Sequence, residues 1–343
     1  MESSKLSVVM TNYNHGLYIA EALDAIVQQT YEPLEIIVCD DASTDDSVKI
    51  IQSFVDRYPF VHMVRNEINL GAVASVNKVI PLTSGDYLYW GAADDKVLPG
   101  FFEKTIRLLL QYPQAGLCST CTLCVDAQGR NKGVLHMPVF LGKNNFISPD
   151  KVLSLLYKHG SWMQGNTVIF RKCALIDSGG FIPELHSSCD GFIHQVIAVK
   201  YGVCFVPEPL TKWRQLKNSY SAIIAKDFEM SLKWIRYAKQ LMNTTYRDLF
   251  PPDFVNYWEK KELINFHLSR LYSLQDDVLN DLKQLSFVRS SIDRHVFGLR
   301  RLLAKIDYFI LKSYLYHRSG LSTNQLFIQK IRMIWNSIFT RRT

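Results

Sequence analysis

Glu35-Ile36-Ile37-Val38-Cys39-Asp40-Asp41-Ala42-Ser43-Thr44-Asp45-Asp46 decides the fold class of this chain. Four consecutive apolar residues followed by two carboxylates read as a buried strand whose far end reaches a polar edge. Ser43 to Asp46 then supplies capping residues, so a helix is expected to start there and run through Phe54 and Val55. Outward from this stretch the same alternation repeats. Residues 6–10 read as a strand, Tyr18 to Gln29 as an amphipathic helix, Val61 to Arg65 as a strand, Gly71 to Ile80 as a helix and Tyr87 to Trp90 as a strand. Strands alternating with helices predict right-handed crossover units and an α/β fold with a mostly parallel sheet. Ligands of such sheets bind beyond the carboxyl ends of the strands. Asp40-Asp41 and Asp94-Asp95 both stand at such ends, about 50 residues apart in sequence and within reach of one crevice.

Past residue 100 the pattern is mixed. A helix is expected over Phe101 to Tyr112, and two strands around the turn Asp126-Ala127-Gln128-Gly129 within residues 116–140. A short helix follows over Lys151 to Lys158, then a strand over Thr167 to Arg171 and a Gly179-Gly180-Phe181 loop. A helix over Phe192 to Tyr201 leads to a strand, Val203 to Val206, ending in Pro207-Glu208-Pro209. From Ser221 onward the chain reads helical, with a break at Phe250-Pro251-Pro252-Asp253.

Composition excludes several classes. Of 343 residues, 48% are apolar and 21% charged, which is globular and neither collagenous nor disordered. No window holds 18 uninterrupted apolar residues, so no membrane-spanning helix is expected. Met1 to Lys5 lacks a basic leader and an apolar core, which predicts a cytoplasmic location. Seven cysteines without framework spacing are expected to be reduced. Cys118, Cys121 and Cys124 form a C-x-x-C-x-x-C run, but on a β-favourable stretch Cys118 and Cys121 face opposite sides and share no metal. The net charge of +7 is uneven: residues 211–343 carry +12 and residues 1–210 carry −5. Apolar stripes in the tail (Leu299 to Ile310, Ile331 to Ile338) alternate with Lys and Arg. They read either as a bundle packing on the first module or on a second subunit, or as a face lying on anionic lipid. No nucleic-acid recognition motif accompanies them.

The chemistry rests on three acidic spots. Thr11 and Tyr13 lie at the end of the first strand, beside Asp40-Asp41. A hydroxyl, an aromatic ring and a carboxylate together can hold a nucleotide base, and uracil offers an N3–H for the carboxylate. Adjacent hard oxygen ligands at Asp94-Asp95 suit Mn²⁺ or Mg²⁺ shared with a substrate diphosphate, and the small Gly91-Ala92-Ala93 before them leaves room for a ligand. Asp190 precedes an apolar helix, where it can cap the helix or act as a base. No Walker loop, G-x-S-x-G or H-E-x-x-H competes with this reading.

Ser7 to His15, Glu35 to Asp45, Asn69-Leu70-Gly71, Gly85-Asp86-Tyr87 and Ala93-Asp94-Asp95, taken together and in this order, resemble glycosyltransferase family 2 over roughly residues 5–221. The resemblance implies a GT-A fold, a mostly parallel sheet flanked by helices, and inversion at the anomeric carbon. It divides the chain into a catalytic domain, residues 1–221, and a basic helical module, residues 222–343, serving membrane association or oligomerisation. It implies that Thr11, Tyr13, Asp40, Asp41 and Asp94 contact the nucleotide and that Asp95 meets the metal. Asp190 becomes the catalytic base, and Trp162, Gln164 and Arg214 fall on the acceptor or diphosphate side. Ala92, Val76 and Cys189 depart from the family's usual residues. The implied donor is a nucleotide-diphospho-sugar, uridine-based, and the acceptor a glycan or lipid-linked glycan of a bacterial surface polysaccharide such as O-antigen or capsule. The implied location is the cytoplasm or the cytoplasmic face of the inner membrane, with a homo-oligomer as a further expectation. The alternative from another class is a non-catalytic nucleotide-sugar-binding or scaffold protein on the same fold.

Overall fold

A computed structural model describes residues 5–135, 146–216, 218–224 and 227–272. The chain divides into two compact units between Ile223 and Ile224.

The first unit is built on one sheet. Its parallel half comprises β1 (Leu6–Asn12), β2 (Glu35–Asp40), β3 (Val61–Arg65) and β4 (Tyr87–Ala92), joined by α1 (Ile19–Val27), α2 (Ser47–Arg57) and α3 (Ala72–Val79). The second half adds β5 (Lys96–Val97), α4 (Phe101–Gln111), β6 (Leu117–Val125), β7 (Asn131–Val134), β8 (Phe146–Ile147), α5 (Pro149–His159), β9 (Val168–Arg171), α6 (Lys172–Asp177), α7 (Cys189–Tyr201), β10 (Val203–Arg214) and α8 (Tyr220–Ile224). The strand order is β3-β2-β1-β4-β9-β6-β10-β5, with β7 on β6 and β8 on β10. Strands β1 to β4 pair in parallel, as does β6 with β10, while β9 enters antiparallel between β4 and β6. The sheet is therefore mixed, with its parallel pairs where the periodicity predicts them.

The alternation of apolar residues positions the core. Strand β1 is buried at five of its first five positions because helices cover both faces. Tyr89 of β4 meets Phe101 and Phe102 of α4 edge-on at 5.3 and 5.7 Å, the favoured arrangement for aromatic pairs. The cysteine run lies on β6, with Cys118, Cys121 and Cys124 buried and unbridged. Among the described residues no three His, Cys, Asp or Glu side chains are grouped to hold a metal.

Three boundaries differ from expectation. Helix α2 begins at Ser47 rather than near Ser43, because Ser43, Thr44 and Asp45 bind across to β1 and its following loop. Strand β10 does not stop at Pro207-Glu208-Pro209 but runs to Arg214. Its register against β6 shifts between Val206 and Pro209 and again before Thr211, and these bulges accommodate residues that cannot donate to the ladder. Helix α7 starts at Cys189 rather than Phe192, which takes Asp190 into its first turn.

The second unit, as described, holds α9 (Phe228–Asn243) and α10 (Pro252–Tyr272), separated by the predicted break. Ile235, Ala238 and Met242 give α9 a buried stripe at helical spacing. Trp234 meets Trp258 edge-on at 6.2 Å, and Lys239 pairs with Glu259 at 2.7 Å. No helix among the described residues is long and apolar enough to cross a membrane. The stripes over Leu299 to Ile310 and Ile331 to Ile338 lie outside the described residues.

Candidate active site

Register brings two of the acidic pairs to one edge. Thr11 stands opposite Cys39 on one side and Ala92 on the other, so the ends of β2 and β4 flank the end of β1. Beyond β1 the chain turns at Asn14, held at φ 56°, and beyond β2 at Ala42, held at φ 62°. Two non-glycine residues in the left-handed region, side by side at one sheet edge, mark a locally strained turn pair.

The first pair splits by function. Alternation sends Asp40 and Asp41 to opposite faces. Asp40 is fully buried. Its carboxylate accepts from Asn12 Nδ2 at 2.8 Å and Ser43 N at 3.0 Å, and Arg65 Nε lies 3.7 Å away. It locks the turn after β2 and presents no oxygen to a ligand. Asp41 points to the α3 face, the side on which Thr11 and Cys39 also lie. Its Oδ1 accepts from Asn66 Nδ2 and Leu70 N, and its Oδ2 from Gly71 N, each at 2.8 Å. Asn66 is itself oriented, since its Oδ1 accepts from Lys78 Nζ at 2.8 Å and its Nδ2 also reaches Ser75 Oγ at 2.9 Å. The relay Lys78–Asn66–Asp41 thus holds this carboxylate, itself 2% exposed, in one fixed orientation. Lys78 places a cation beside this pocket although Val76 stands at the position where the resemblance expects one. Thr11 Oγ1 accepts from Trp90 Nε1 at 3.1 Å, and Tyr13 is 44% exposed, so its ring is available to stack.

The second pair sits in a tight turn, with Asp95 N donating to Ala92 O at 3.3 Å. Gly91 and Ala93 are buried, and a side chain at Gly91 would press on the Tyr89 ring. Their small size serves internal packing; of the three small residues only Ala92 keeps surface. Asp95 Oδ1 accepts from Arg214 N at 2.8 Å, and the Asn166 side chain, whose Nδ2 donates to Lys212 O at 3.3 Å, lies beside this carboxylate. Desolvation, together with the neighbouring Asp94 charge, pushes the Asp95 carboxyl well above the usual carboxylate range.

The third spot reaches the second through one short turn. Asp190 lies in the first turn of α7, and its carboxylate occupies the space a side chain at Gly165 would need. Asn166, the next residue, lies beside Asp95, and its carbonyl accepts from Tyr89 Oη at 3.2 Å. Asp95 and Asp190 therefore lie beside consecutive residues of the Gly165–Thr167 turn. Burial raises the Asp190 carboxyl from 3.8 to about 6, against the opposing backbone N–H groups of Gly191, at 2.6 Å, and of Asp190 itself. The preceding loop carries His186 at φ 51°, another non-glycine residue in the left-handed region. His194, one turn further on, is core: it is 1% exposed, packs on Phe170 at 5.4 Å, and burial pulls its imidazole down to about 3.

Trp162 is buried, and Gln164 is half-buried immediately before the Gly165–Thr167 turn. Arg214 is 6% exposed and engaged with the protein. Its Nε donates to Asp94 O at 2.9 Å, its Nη1 to Ala127 O at 3.2 Å and its Nη2 to Glu21 Oε2 at 2.8 Å, and it stacks over Tyr18 at 4.6 Å. Its guanidinium is directed at this clamp. Asn66, Lys78 and Glu21 are the residues sequence reasoning missed. The Asn66-x-x-Asn69-Leu70-Gly71 spacing after β3 was the available signal for the first of these.

The donor set at Asp94-Asp95 is oxygen only and supplies two carboxylates, one of them desolvated against the other. That fits Mg²⁺ or Mn²⁺, which keep waters and share substrate phosphates, and does not fit a closed zinc or iron–sulfur site.

The sequence model described as "Glycosyl transferase family 2" matches residues 7–174. An uncharacterized glycosyltransferase of Escherichia coli K12, YibD, is 34% identical over 109 residues, covering 32% of this chain and 31% of that protein. The chain thus spans about a third of the length of this relative. S. aureus TarS 1–349, solved in complex with UDP-GlcNAc, is 18% identical with a TM-score of 0.56 over 93% of each chain. The mannosyltransferase PcManGT of Pyrobaculum calidifontis, solved with GDP-Man and Mn²⁺, is 18% identical with a TM-score of 0.57 over 93% of this chain and 87% of that one. These two likenesses show a GT-A fold.

Proposed function

The chain carries a glycosyl transferase family 2 domain, and from that premise we propose an inverting transfer of one sugar from a nucleotide-diphospho-sugar to an acceptor hydroxyl. Residues 1–221 constitute the catalytic domain in this reading, and residues 222–343 a basic helical module. The base is held on the α3 face, with Tyr13 stacking, Thr11 bonding and the fixed Asp41 carboxylate accepting an N–H. Uracil N3–H meets that requirement, which favours a UDP-sugar. Asp94 and Asp95 would hold Mn²⁺ or Mg²⁺; when bound, the cation neutralises charge building up on the departing diphosphate. Asp190 takes the proton of the acceptor hydroxyl, whose oxygen forms the new bond to the anomeric carbon as the bond from that carbon to the diphosphate oxygen breaks. A carboxyl raised to about 6 is still ionised at neutral pH and more basic than an exposed one. Trp162 and Gln164, which precede the Gly165–Thr167 turn in sequence, are assigned to the acceptor side in this reading. The acceptor class is a surface glycan or a lipid-linked glycan, supported by the net charge of +12 over residues 211–343, which suits an anionic membrane face.

One observation carries this reading: Asp95 and Asp190, 95 residues apart in sequence, lie beside the adjacent residues Asn166 and Gly165. A calorimetric panel of UDP-, GDP- and CDP-sugars with and without Mn²⁺ tests it. Metal-enhanced binding of a UDP-sugar is expected. Equal, metal-independent binding of all three, or of none, would reject it.

A further inference from the structure

Helix α1 bears a residue that no motif singles out and that the proposed chemistry does not use. Glu21 lies in the first turn of α1, 46% exposed at its side chain, far in sequence from the acidic pairs. Its Oε2 accepts from Arg214 Nη2 at 2.8 Å, and its Oε1 from Lys96 Nζ at 3.0 Å. Both cations belong to segments bordering the Asp94-Asp95 turn: Lys96 follows it directly, and Arg214 ends β10 beside it.

Arg214 grips this turn twice. Its backbone N donates to Asp95 Oδ1 at 2.8 Å, and its side-chain Nε donates to Asp94 O at 2.9 Å. Its Nη1 reaches Ala127 O at 3.2 Å, so the β6–β7 turn joins the same clamp. A guanidinium has a planar fork, so fixing one nitrogen fixes the direction of the others. Glu21 is the anionic member that fixes it, while Tyr18, one turn back on the same helix, supports the plane from below at 4.6 Å. The side chain of Arg214 is only 7% exposed, so without Glu21 a nearly buried cation would lack its counter-ion and would reorient.

We propose that Glu21 is a positioning residue for the cation-binding carboxylates: through Arg214 it sets the conformation of the Asp94-Asp95 turn without touching the cation, the nucleotide or the acceptor. The inference rests on the proposed metal-dependent transfer. It reassigns Arg214 from the acceptor or diphosphate side to support of the turn. Loss of Glu21 weakens the cation and leaves the base pocket, which is built from β1, β2 and α3, unchanged.

The test is calorimetric titration of Mn²⁺ into full-length protein saturated with UDP, beside UDP titration without metal. Glu21→Ala, Glu21→Asp and wild type are compared. Because Glu21 is half exposed, both variants are expected to fold, and a thermal melt reports this separately. The expected result is a fivefold to tenfold weaker Mn²⁺ affinity in both variants, with metal-free UDP affinity within twofold of wild type. Glu21→Asp keeps the charge but shortens the reach. Unchanged Mn²⁺ affinity in Glu21→Asp alone would make the effect one of charge at a distance and overturn the positioning role. Unchanged affinity in both variants, with or without a lower melting temperature, would overturn it as well. A wild-type protein whose UDP complex takes up no Mn²⁺ would remove the metal reading itself, and this inference with it.

Discussion

Replacing Asp190 by Asn should produce two opposite pH effects from one half-buried carboxyl. Burial lifts this group from 3.8 to about 6. If Asp190 is the base, wild-type kcat/KM follows its ionised fraction, about nine-tenths at pH 7 and about one-tenth at pH 5. The rate should therefore fall about tenfold across those two units, whereas an exposed carboxyl would lose less than about a tenth. Stability moves the other way. A carboxyl whose pKa is higher folded than unfolded contributes stability that is fully present below about 3.8 and lost as pH rises through about 6. The shift of about two units corresponds to about 3 kcal/mol at about 1.4 kcal/mol per unit, which residual solvent contact reduces to about 1–2 kcal/mol. Asp190→Asn escapes this loss. Its melting temperature should exceed that of wild type by roughly 2–6 °C at pH 8, and the difference should shrink towards zero near pH 4. Transfer should be abolished while UDP affinity stays within a few-fold. Differential scanning calorimetry across pH 4–8 and initial rates across pH 5–8 read both limbs. A rate that stays flat down to pH 5, or a melting difference independent of pH, would refute the assignment.

Three further outcomes follow from the geometry. Asp41→Ala removes the acceptor fixed by Asn66, Leu70 and Gly71 and should weaken UDP binding at least tenfold, about 1.4 kcal/mol by calorimetry; unaltered affinity would move the base pocket elsewhere. Gly165→Ala forces the Asp190 carboxylate aside, and a displacement of about 1 Å should cost about 100-fold in turnover with UDP affinity unchanged; full turnover would show that Asp190 does not need this seat. Asp95→Ala should abolish both the Mn²⁺ or Mg²⁺ dependence and most activity, and an unchanged metal titration would count against that site.

Local patterns carried the first half of the fold well. β1 to β4 and α1 to α3 follow from apolar periodicity because each buries a continuous stripe, and their ends fall within a few residues of the predicted ones. The antiparallel entry of β9 left no local trace, since strand direction is decided by partners distant in sequence. The prolines of β10 read as a stop because bulge tolerance depends on the neighbouring strand. In the site, residue types were legible and their orientations were not. Asp40 and Asp41 look equivalent in sequence, yet alternation turns one inward to Asn12 and Ser43 and the other to Asn66. Arg214 likewise reads as a cation for a diphosphate until Glu21 and Asp94 O are seen to receive it. Such partners come together only through tertiary packing, so no spacing rule reveals them.

The most direct measurement of the central claim is a crystal structure of the protein soaked with a UDP-sugar and Mn²⁺, with the metal located by anomalous scattering. The account predicts one Mn²⁺ on Asp95 and the diphosphate, with the anomeric carbon lying between that ion and the Asp190 carboxylate. An ion bound away from Asp95, or a sugar whose anomeric carbon faces away from Asp190, would contradict it.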